Sequence, residues 1–144
     1  MGGNDMKWRR ILAVWIVVVL MLSVSAYAEE RNDGISPRYT YTWSMEAGLH
    51  ISDAAVAECH GSVITYDVNS TISIKVSLYQ KVGNSWDRIK SWYGNSTGIG
   101  HYEIVRNYQL TEYGTYKVLV TGTVTGVDGG QEWLSLESDQ MTYP

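Results

Sequence analysis

Catalysis by this chain would need a nucleophile or an acid–base pair, and the sequence holds few candidates for either. Cys59 is the single cysteine of the 144-residue chain, and His60 follows it directly. Adjacent residues of a strand point to opposite sides of a sheet, so His60 is badly placed to act as a base for Cys59. We therefore predict that Cys59 is a buried free thiol that packs as a small hydrophobe. An intermolecular disulfide and a Cys–His nucleophile are the alternatives.

Metal-ligand and carboxylate patterns are equally weak. The three histidines, His50, His60 and His101, have no spacing that resembles a zinc signature. His101 and Glu103 are two residues apart and would share a strand face. Neither a nucleophile motif nor a phosphate-binding loop is present. We predict no catalytic residues, no metal site and no cofactor, and a small hydrolase whose carboxylates converge across strands is the least favoured hypothesis.

Tryptophan and tyrosine supply the richest chemistry in the sequence. Trp86 and Trp92 lie an even number of residues apart on one predicted strand, which places them on one face with Arg88 and Lys90. An exposed Trp pair flanked by cations suits stacking on sugar rings or anchoring a protein partner. The candidate ligand-binding residues are therefore Trp86, Trp92, Tyr93 and Arg88. The alternative is that both Trp side chains are tucked under neighbouring loops, because large aromatics are usually mostly buried.

Strands must position these side chains. From Tyr39 onward Thr, Val, Ile and Tyr recur with a period of two, short polar turns interrupt them, and no window shows sustained helical spacing. Seven strands are predicted, over residues 39–51, 54–65, 72–79, 86–93, 99–108, 115–127 and 131–143. A Gly/Asn/Ser loop is predicted at Gly94–Gly98, and Asp128-Gly129-Gly130 indicates a hairpin.

The alternation also predicts which faces are buried. In the first strand one face is shared by Tyr39, Tyr41, Trp43 and Met45. Of these, Tyr41 and Trp43 are expected to lie in the core. The Thr face of the sixth strand, Thr121–Thr125, is expected to lie in solvent. The charges of the fourth strand mark it as an edge strand. The aliphatic residues of the third and sixth strands are expected to point inward: Ile72, Ile74, Val76, Leu78, Val118, Val120 and Val124.

Seven short strands with regularly spaced turns predict an all-β fold, a two-sheet Greek-key sandwich of the immunoglobulin or fibronectin type. Leu110 lies six residues before Tyr116, and a turn that contains Gly114 separates them. Such sandwiches use a Tyr at the turn into the sixth strand to bond back to nearby backbone, so Tyr116, Leu110 and Gly114 are predicted structural residues. Val118 stands where an antibody domain has its second inter-sheet Cys, so Cys59 has no disulfide partner.

Residues 1–28 have the pattern of a secretory signal peptide. A positive segment (Lys7–Arg10), an apolar run (Ile11–Leu22) and a small-residue site (Ala26–Ala28) follow one another in the secretory order. The apolar run is about 12 to 14 residues, short of the ~20 that span a bilayer. Cleavage is predicted near Ala28-Glu29, and an uncleaved membrane anchor is the alternative.

Length and charge limit the number of domains and the kinds of partner expected for the rest of the chain. Residues 29–38 are predicted to be a flexible arm, and residues 39–144 one β-sandwich domain, which is too short for a two-domain enzyme. The whole chain has a net charge of −4, and without the leader 8 Lys/Arg and 14 Asp/Glu leave about −6. That sign argues against nucleic acid or an anionic membrane as the main partner.

Four segments carry a resemblance to a known group of proteins. They are residues 38–42 (RYTYT), 73–81 (SIKVSLYQK), 86–92 (WDRIKSW) and 114–118 (GTYKV). In them the chain resembles small secreted β-sandwich proteins of Gram-positive, clostridial-type bacteria. The resemblance implies the fold, export and a bacterial source, and it brings no established activity with it.

These expectations favour an exported, non-catalytic binding or cell-surface module. The first hypothesis is binding of a carbohydrate or the cell wall through exposed aromatics. The alternative is a protein-interaction or structural module that pairs through an edge strand. No membrane contact is expected after the leader is removed.

Overall fold

The computed structural model describes residues 39–144, so the predicted leader (1–28) and arm (29–38) lie outside the described residues. The described chain forms eight strands. They are β1 (Thr42–Ile51), β2 (Val56–Thr65), β3 (Thr71–Val82), β4 (Ser85–Thr97), β5 (His101–Gln109), β6 (Gly114–Thr125), β7 (Gln131–Glu137) and β8 (Met141–Tyr143). Nowhere in residues 39–144 is there a helix of the length and apolar character that a membrane span requires.

The strands build two antiparallel sheets that pack face to face. The smaller sheet has the order β1-β2-β5, and the larger sheet has the order β4-β3-β6-β7, with β8 paired to one end of β6. This confirms the predicted all-β Greek-key sandwich. The seventh predicted strand is divided in two, because the chain leaves the sheet between Glu137 and Met141.

The core lies between the sheets, and period-two alternation places its residues correctly. Ile72, Ile74, Val76 and Leu78 of β3 are buried, as predicted, and the inward residues of β6 lie beside them in register. Burial of each such side chain stabilises the fold by about 1.5–3 kcal/mol. These two central strands therefore hold the larger sheet against the smaller one.

A bulge near the start of β1 reverses one prediction. The register with β2 shifts between Thr42 and Ser44. Trp43 is the extra residue of this bulge and has no partner on β2, while Thr42 before it is buried. As a result Trp43 is 69% exposed, whereas Tyr41 and Met45 pack against the core. The prediction that Trp43 shares a buried face with them is wrong.

The predicted loop at Gly94–Gly98 is wrong except at Gly98, because β4 continues to Thr97. Gly94 points inward, opposite Ile74 of β3. A Cβ at this position would collide with the phenol ring of Tyr102 on β5. Gly94 is therefore a point of close approach between the two sheets.

The corner before β6 is fastened by Tyr116. Its ring is buried, and its hydroxyl donates a hydrogen bond to the carbonyl oxygen of Glu112 at 2.5 Å. Burial, and next the nearby Glu112 carboxylate, raise the pKa of Tyr116. Leu110 is buried beside this turn, and Gly114 has a φ of 148°, which favours glycine. The three residues thus fix the path into β6.

The hairpin between β6 and β7 holds the chain that enters β1. The Glu132 carboxylate accepts backbone N–H bonds from Thr40 at 2.5 Å and Thr42 at 3.0 Å. The Tyr41 hydroxyl donates to the Asp128 carboxylate at 2.9 Å. The N–H of Gly130 and then this hydroxyl lower the pKa of Asp128. Two carboxylates therefore connect the start of the smaller sheet to the larger one.

Candidate functional site

An open groove of about 610 Å³ crosses the outer face of the larger sheet, the side that faces away from the smaller sheet. Tyr93 on β4 forms one wall, and Trp133 on β7 forms the other. Their side chains are 72% and 79% exposed, among the highest values for large hydrophobic side chains in the described chain. The groove therefore presents two aromatic surfaces to solvent.

The register of the strands places the floor between these walls. Tyr93 lies opposite Lys75, which pairs with Thr121, which in turn pairs with Ser135. The next row along the sheet runs from Trp133 through Thr123 to Ser73. Two strands separate the aromatic residues, so their backbones lie about 14 Å apart across the sheet.

The floor carries hydroxyl groups, although most of the exposed surface of the groove is apolar. Ser73, Thr121, Thr123 and Ser135 all line it. Each hydroxyl can donate one hydrogen bond and accept two. The Thr face of β6 was expected to be a solvated sheet surface, but Thr121 and Thr123 are half-buried at the bottom of the groove. A flat ligand with both apolar faces and hydroxyl groups would find partners for each in the groove.

Lys75 is the only charged side chain among the described residues that line the groove. Its ammonium nitrogen lies 5.9 Å from the centroid of the Tyr93 ring, within the range of a cation–π interaction. The two ion pairs within residues 39–144 are His60–Glu103 and Lys117–Glu137, so no described carboxylate neutralises Lys75. The groove therefore has a positive centre.

Trp86 and Trp92 do not share a face, and that part of the sequence prediction is wrong. Leu78 of β3 pairs with Lys90, whereas the next residue, Tyr79, pairs with Arg88, so β4 bulges at Ile89. The extra residue reverses the alternation. Trp92 packs inward against the core as a result, and it is not available to a ligand.

Trp86 and Arg88 lie on the outer face but away from the groove lining. The ammonium of Lys117 stands 4.5 Å from the centroid of the Trp86 ring, and it also pairs with Glu137 at 2.7 Å. Arg88 is exposed opposite Tyr79. Of the four candidate ligand-binding residues, the structure puts Tyr93 alone in the groove.

Trp133 is the functional candidate that the sequence reasoning missed. The information was present: the Asp128-Gly129-Gly130 hairpin sets the pairing of the last two long strands. With Thr125 opposite Gln131, Trp133 must stand beside Thr123 on the Thr-lined face. The predicted hairpin and the predicted Thr face together would have placed this Trp on the outer surface.

All three histidines lie on the outer face of the smaller sheet. His60 contacts Glu103 at 2.9 Å between ring nitrogen and carboxylate oxygen, and both are partly exposed. His50 on β1 lies opposite Glu58 on β2 in the strand register, and His101 is the first residue of β5. Among the described residues no group of three His, Cys, Asp or Glu side chains is arranged to hold a metal ion.

Cys59 is a free thiol in the core and is fully buried. Burial, with a smaller effect from the Glu58 carboxylate, raises the pKa of Cys59 to about 12. The thiolate is the nucleophilic form, so this cysteine is inert near neutral pH.

Neither a family model nor a curated protein matches this sequence. Solved structures with some likeness to the chain include two small domains. The solution structure of a candidate late embryogenesis abundant (LEA) protein has a TM-score of 0.41 and 13% identity, covering 98% of this chain and 90% of the other. The CARDB domain of a Pyrococcus furiosus protein, crystallised in complex with di-metal ions, has a TM-score of 0.39 and 14% identity, covering 70% and 91%. Likeness at this level assigns the present chain neither a ligand nor an activity.

Proposed function

We propose that this chain is an exported, non-catalytic module that binds a glycan in the groove between Tyr93 and Trp133. The single observation that carries the proposal is the exposure of these two rings on either side of a floor of hydroxyl groups. Aromatic faces stack on the apolar C–H surfaces of sugar rings, and hydroxyls exchange hydrogen bonds with sugar hydroxyls. A glycan presents both kinds of surface, since its sugar rings have apolar C–H faces and hydroxyl groups at their edges.

The shape and chemistry of the groove favour a glycan over a protein partner. Protein hot spots lie in well-packed pockets that exclude water, whereas this groove is open and shallow, with hydroxyl groups along its floor between the two aromatic walls. Strand pairing through β4 is the alternative that the sequence left open. The bulge at Ile89 and the charges of Arg88 and Lys90 disfavour pairing along that edge.

The proposed module is non-catalytic because of the residues that line its groove. Most glycosidases place two carboxylates on either side of the scissile bond. The described residues of the groove offer one ammonium, from Lys75, and no carboxylate. Binding without bond cleavage is therefore the role that these residues support.

Export enters the proposal through the sequence of residues 1–28 alone. A charged segment, an apolar run and a small-residue site precede the β domain. Secretion would bring the groove to the glycans of the cell envelope or its surroundings, in keeping with the resemblance to small secreted bacterial proteins.

The test is retention on immobilised glycans. We expect the chain to bind at least one glycan of a broad array, and the double substitution Tyr93→Ala with Trp133→Ala to abolish binding while the circular dichroism spectrum is preserved. Each single substitution should weaken binding at least tenfold, about 1.4 kcal/mol. No reducing ends should be released from the bound glycan.

Two other tryptophans provide matched controls. Trp43→Ala removes an exposed ring from the smaller sheet, and Trp86→Ala removes a partly exposed ring from the outer face of the larger sheet, outside the groove. Both variants should retain binding within about threefold, since neither ring lines the groove. Loss of binding in the Trp86 variant, with retention in the groove variants, would move the site to the other end of the sheet.

A further inference from the structure

The position of Lys75 distinguishes the groove from a neutral sugar platform. It lies on β3, directly beside the Tyr93 wall and in the row that continues to Thr121 and Ser135. A ligand that stacks on both Tyr93 and Trp133 must pass over or beside its ammonium group. The side chain is half-buried, so its charge is less screened than that of a fully exposed Lys.

The charges on the outer face of the larger sheet also favour a negatively charged ligand. Four of the six Lys and Arg residues within residues 39–144 take outward positions on the larger sheet, against the single outward carboxylate of Glu137 on its strands: Lys75, Lys81, Arg88 and Lys117. The outer face of the smaller sheet instead carries Glu46, Glu58 and Glu103. The groove is thus on the cationic side of a chain whose net charge is −4.

We propose that the glycan bound in this groove is anionic, with a carboxylate or phosphate group that pairs with the Lys75 ammonium. This inference rests on the proposed function and specifies its ligand class. An ammonium is a compact point charge that accepts either anion, while the aromatic walls and the hydroxyl floor recognise the sugar rings. Neutral glycans stack on the same walls but leave the cation without a partner.

The experiment compares matched acidic and neutral oligosaccharides on the full chain. The probes are tetragalacturonic acid and its methyl ester, and phosphorylated maltotetraose and maltotetraose, together with a glycan array that holds other acidic and neutral members. We expect an acidic glycan to bind at least tenfold more tightly than its neutral counterpart. The carboxylate and phosphate pairs show which anion is preferred, and a preference for either supports the inference.

Substitutions at Lys75 then assign the preference to this side chain. Lys75→Gln should bring the affinity for the acidic glycan down to that for its neutral counterpart, and Lys75→Arg should retain the preference. Lys81→Gln is the matched control, since it removes a cation from the same strand and face outside the groove; it should change affinity by less than threefold. Higher salt should weaken binding of the acidic glycan to the wild type, which tests the charge pairing without any substitution.

The outcomes separate this inference from the proposed function. Equal affinity for acidic and neutral glycans, or an acidic preference that survives Lys75→Gln, overturns the inference while binding through Tyr93 and Trp133 still stands. Failure to bind any glycan of the array overturns the proposed function and the inference with it.

Discussion

At the scale of single residues, burial decides which reactive groups of this chain can act. Cys59 is the only thiol, yet it is fully enclosed between the sheets and its pKa is raised to about 12. Tyr93 and Trp133 are apolar groups that the fold leaves in water. The exposed aromatics, and not the nucleophile, are therefore the residues available to a partner.

The buried thiol makes the stability of the fold dependent on pH in the alkaline range. In the unfolded chain Cys59 loses its proton near its ordinary pKa of 9.0, whereas in the folded chain it keeps the proton up to about 12. The stabilising contribution is therefore complete below pH 9 and is lost as the pH rises from 9 to about 12. We expect the free energy of unfolding of the wild type to fall more steeply over this interval than that of Cys59→Ala.

Denaturant unfolding of the two proteins at pH 7, 9 and 10, under reducing conditions, measures this difference. The extra slope should reach no more than about 1.4 kcal/mol per pH unit. The Cys59→Ala variant is the control for the wild type, because the two proteins share every other titrating group. Parallel pH profiles would show that the thiol titrates equally in the folded and unfolded states.

At the scale of elements, β-bulges determine where the aromatic side chains point. Alternation correctly predicted the inward residues of β3 and β6, which pair without interruption. It failed for Trp43 and for the Trp86–Trp92 pair, and each failure coincides with a register shift. A bulge adds one residue to one strand only, and its position depends on the partner strand.

The central strand β3 should tolerate a charged side chain on its outer face but not on the face that lines the core. Val76→Asp would place an unpaired carboxylate in the core, at a cost of about 3–5 kcal/mol, and we expect it to unfold the domain or to lower its melting temperature severely. Ser73→Asp, three residues earlier on the exposed face of the same strand, is the control and should leave the melting temperature within a few degrees. Thermal melts followed by circular dichroism provide the comparison, and equal melting temperatures would contradict the observed orientation of β3.

At the scale of the whole molecule, the two sheets differ in charge and are joined at one end by carboxylates. The larger sheet carries most of the cations, and the smaller sheet presents carboxylates and histidines. Glu132 and Asp128 of the larger sheet hold the chain that enters β1. These contacts span about ninety residues of sequence, so they report on closure of the sandwich.

Glu132→Ala should release the start of β1 while the rest of the sandwich persists. The backbone N–H groups of Thr40 and Thr42 would lose their acceptor, and we expect their hydrogen exchange to accelerate at least tenfold. Glu137→Ala is the control, because that carboxylate lies on the same strand but pairs with Lys117 on the outer face. Exchange rates that match the wild type in the Glu132 variant would mean that other contacts hold this segment.

Much of the fold could be predicted from the sequence, and only part of the site. The two-sheet sandwich, the inward residues of the central strands, the edge position of β4 and the burial of Cys59 follow from local alternation and turn residues, which neighbouring residues encode. Tyr93 was among the candidates, but Trp92 was misassigned and Trp133 was not considered. The hairpin places Trp133 beside Thr123 of β6, but the rest of the groove lies on β3 and β4, far away in the sequence.

The sequence by itself determined that the described chain is a β-sandwich, because a period of two and its turns are local properties of the chain. Only the tertiary structure decided which aromatic side chains meet water and which charge stands between them. Two bulges shift the register of edge strands, and the sheet then joins residues from four separate strands into one groove. Register is a relation between strands, so no single segment of sequence contains it.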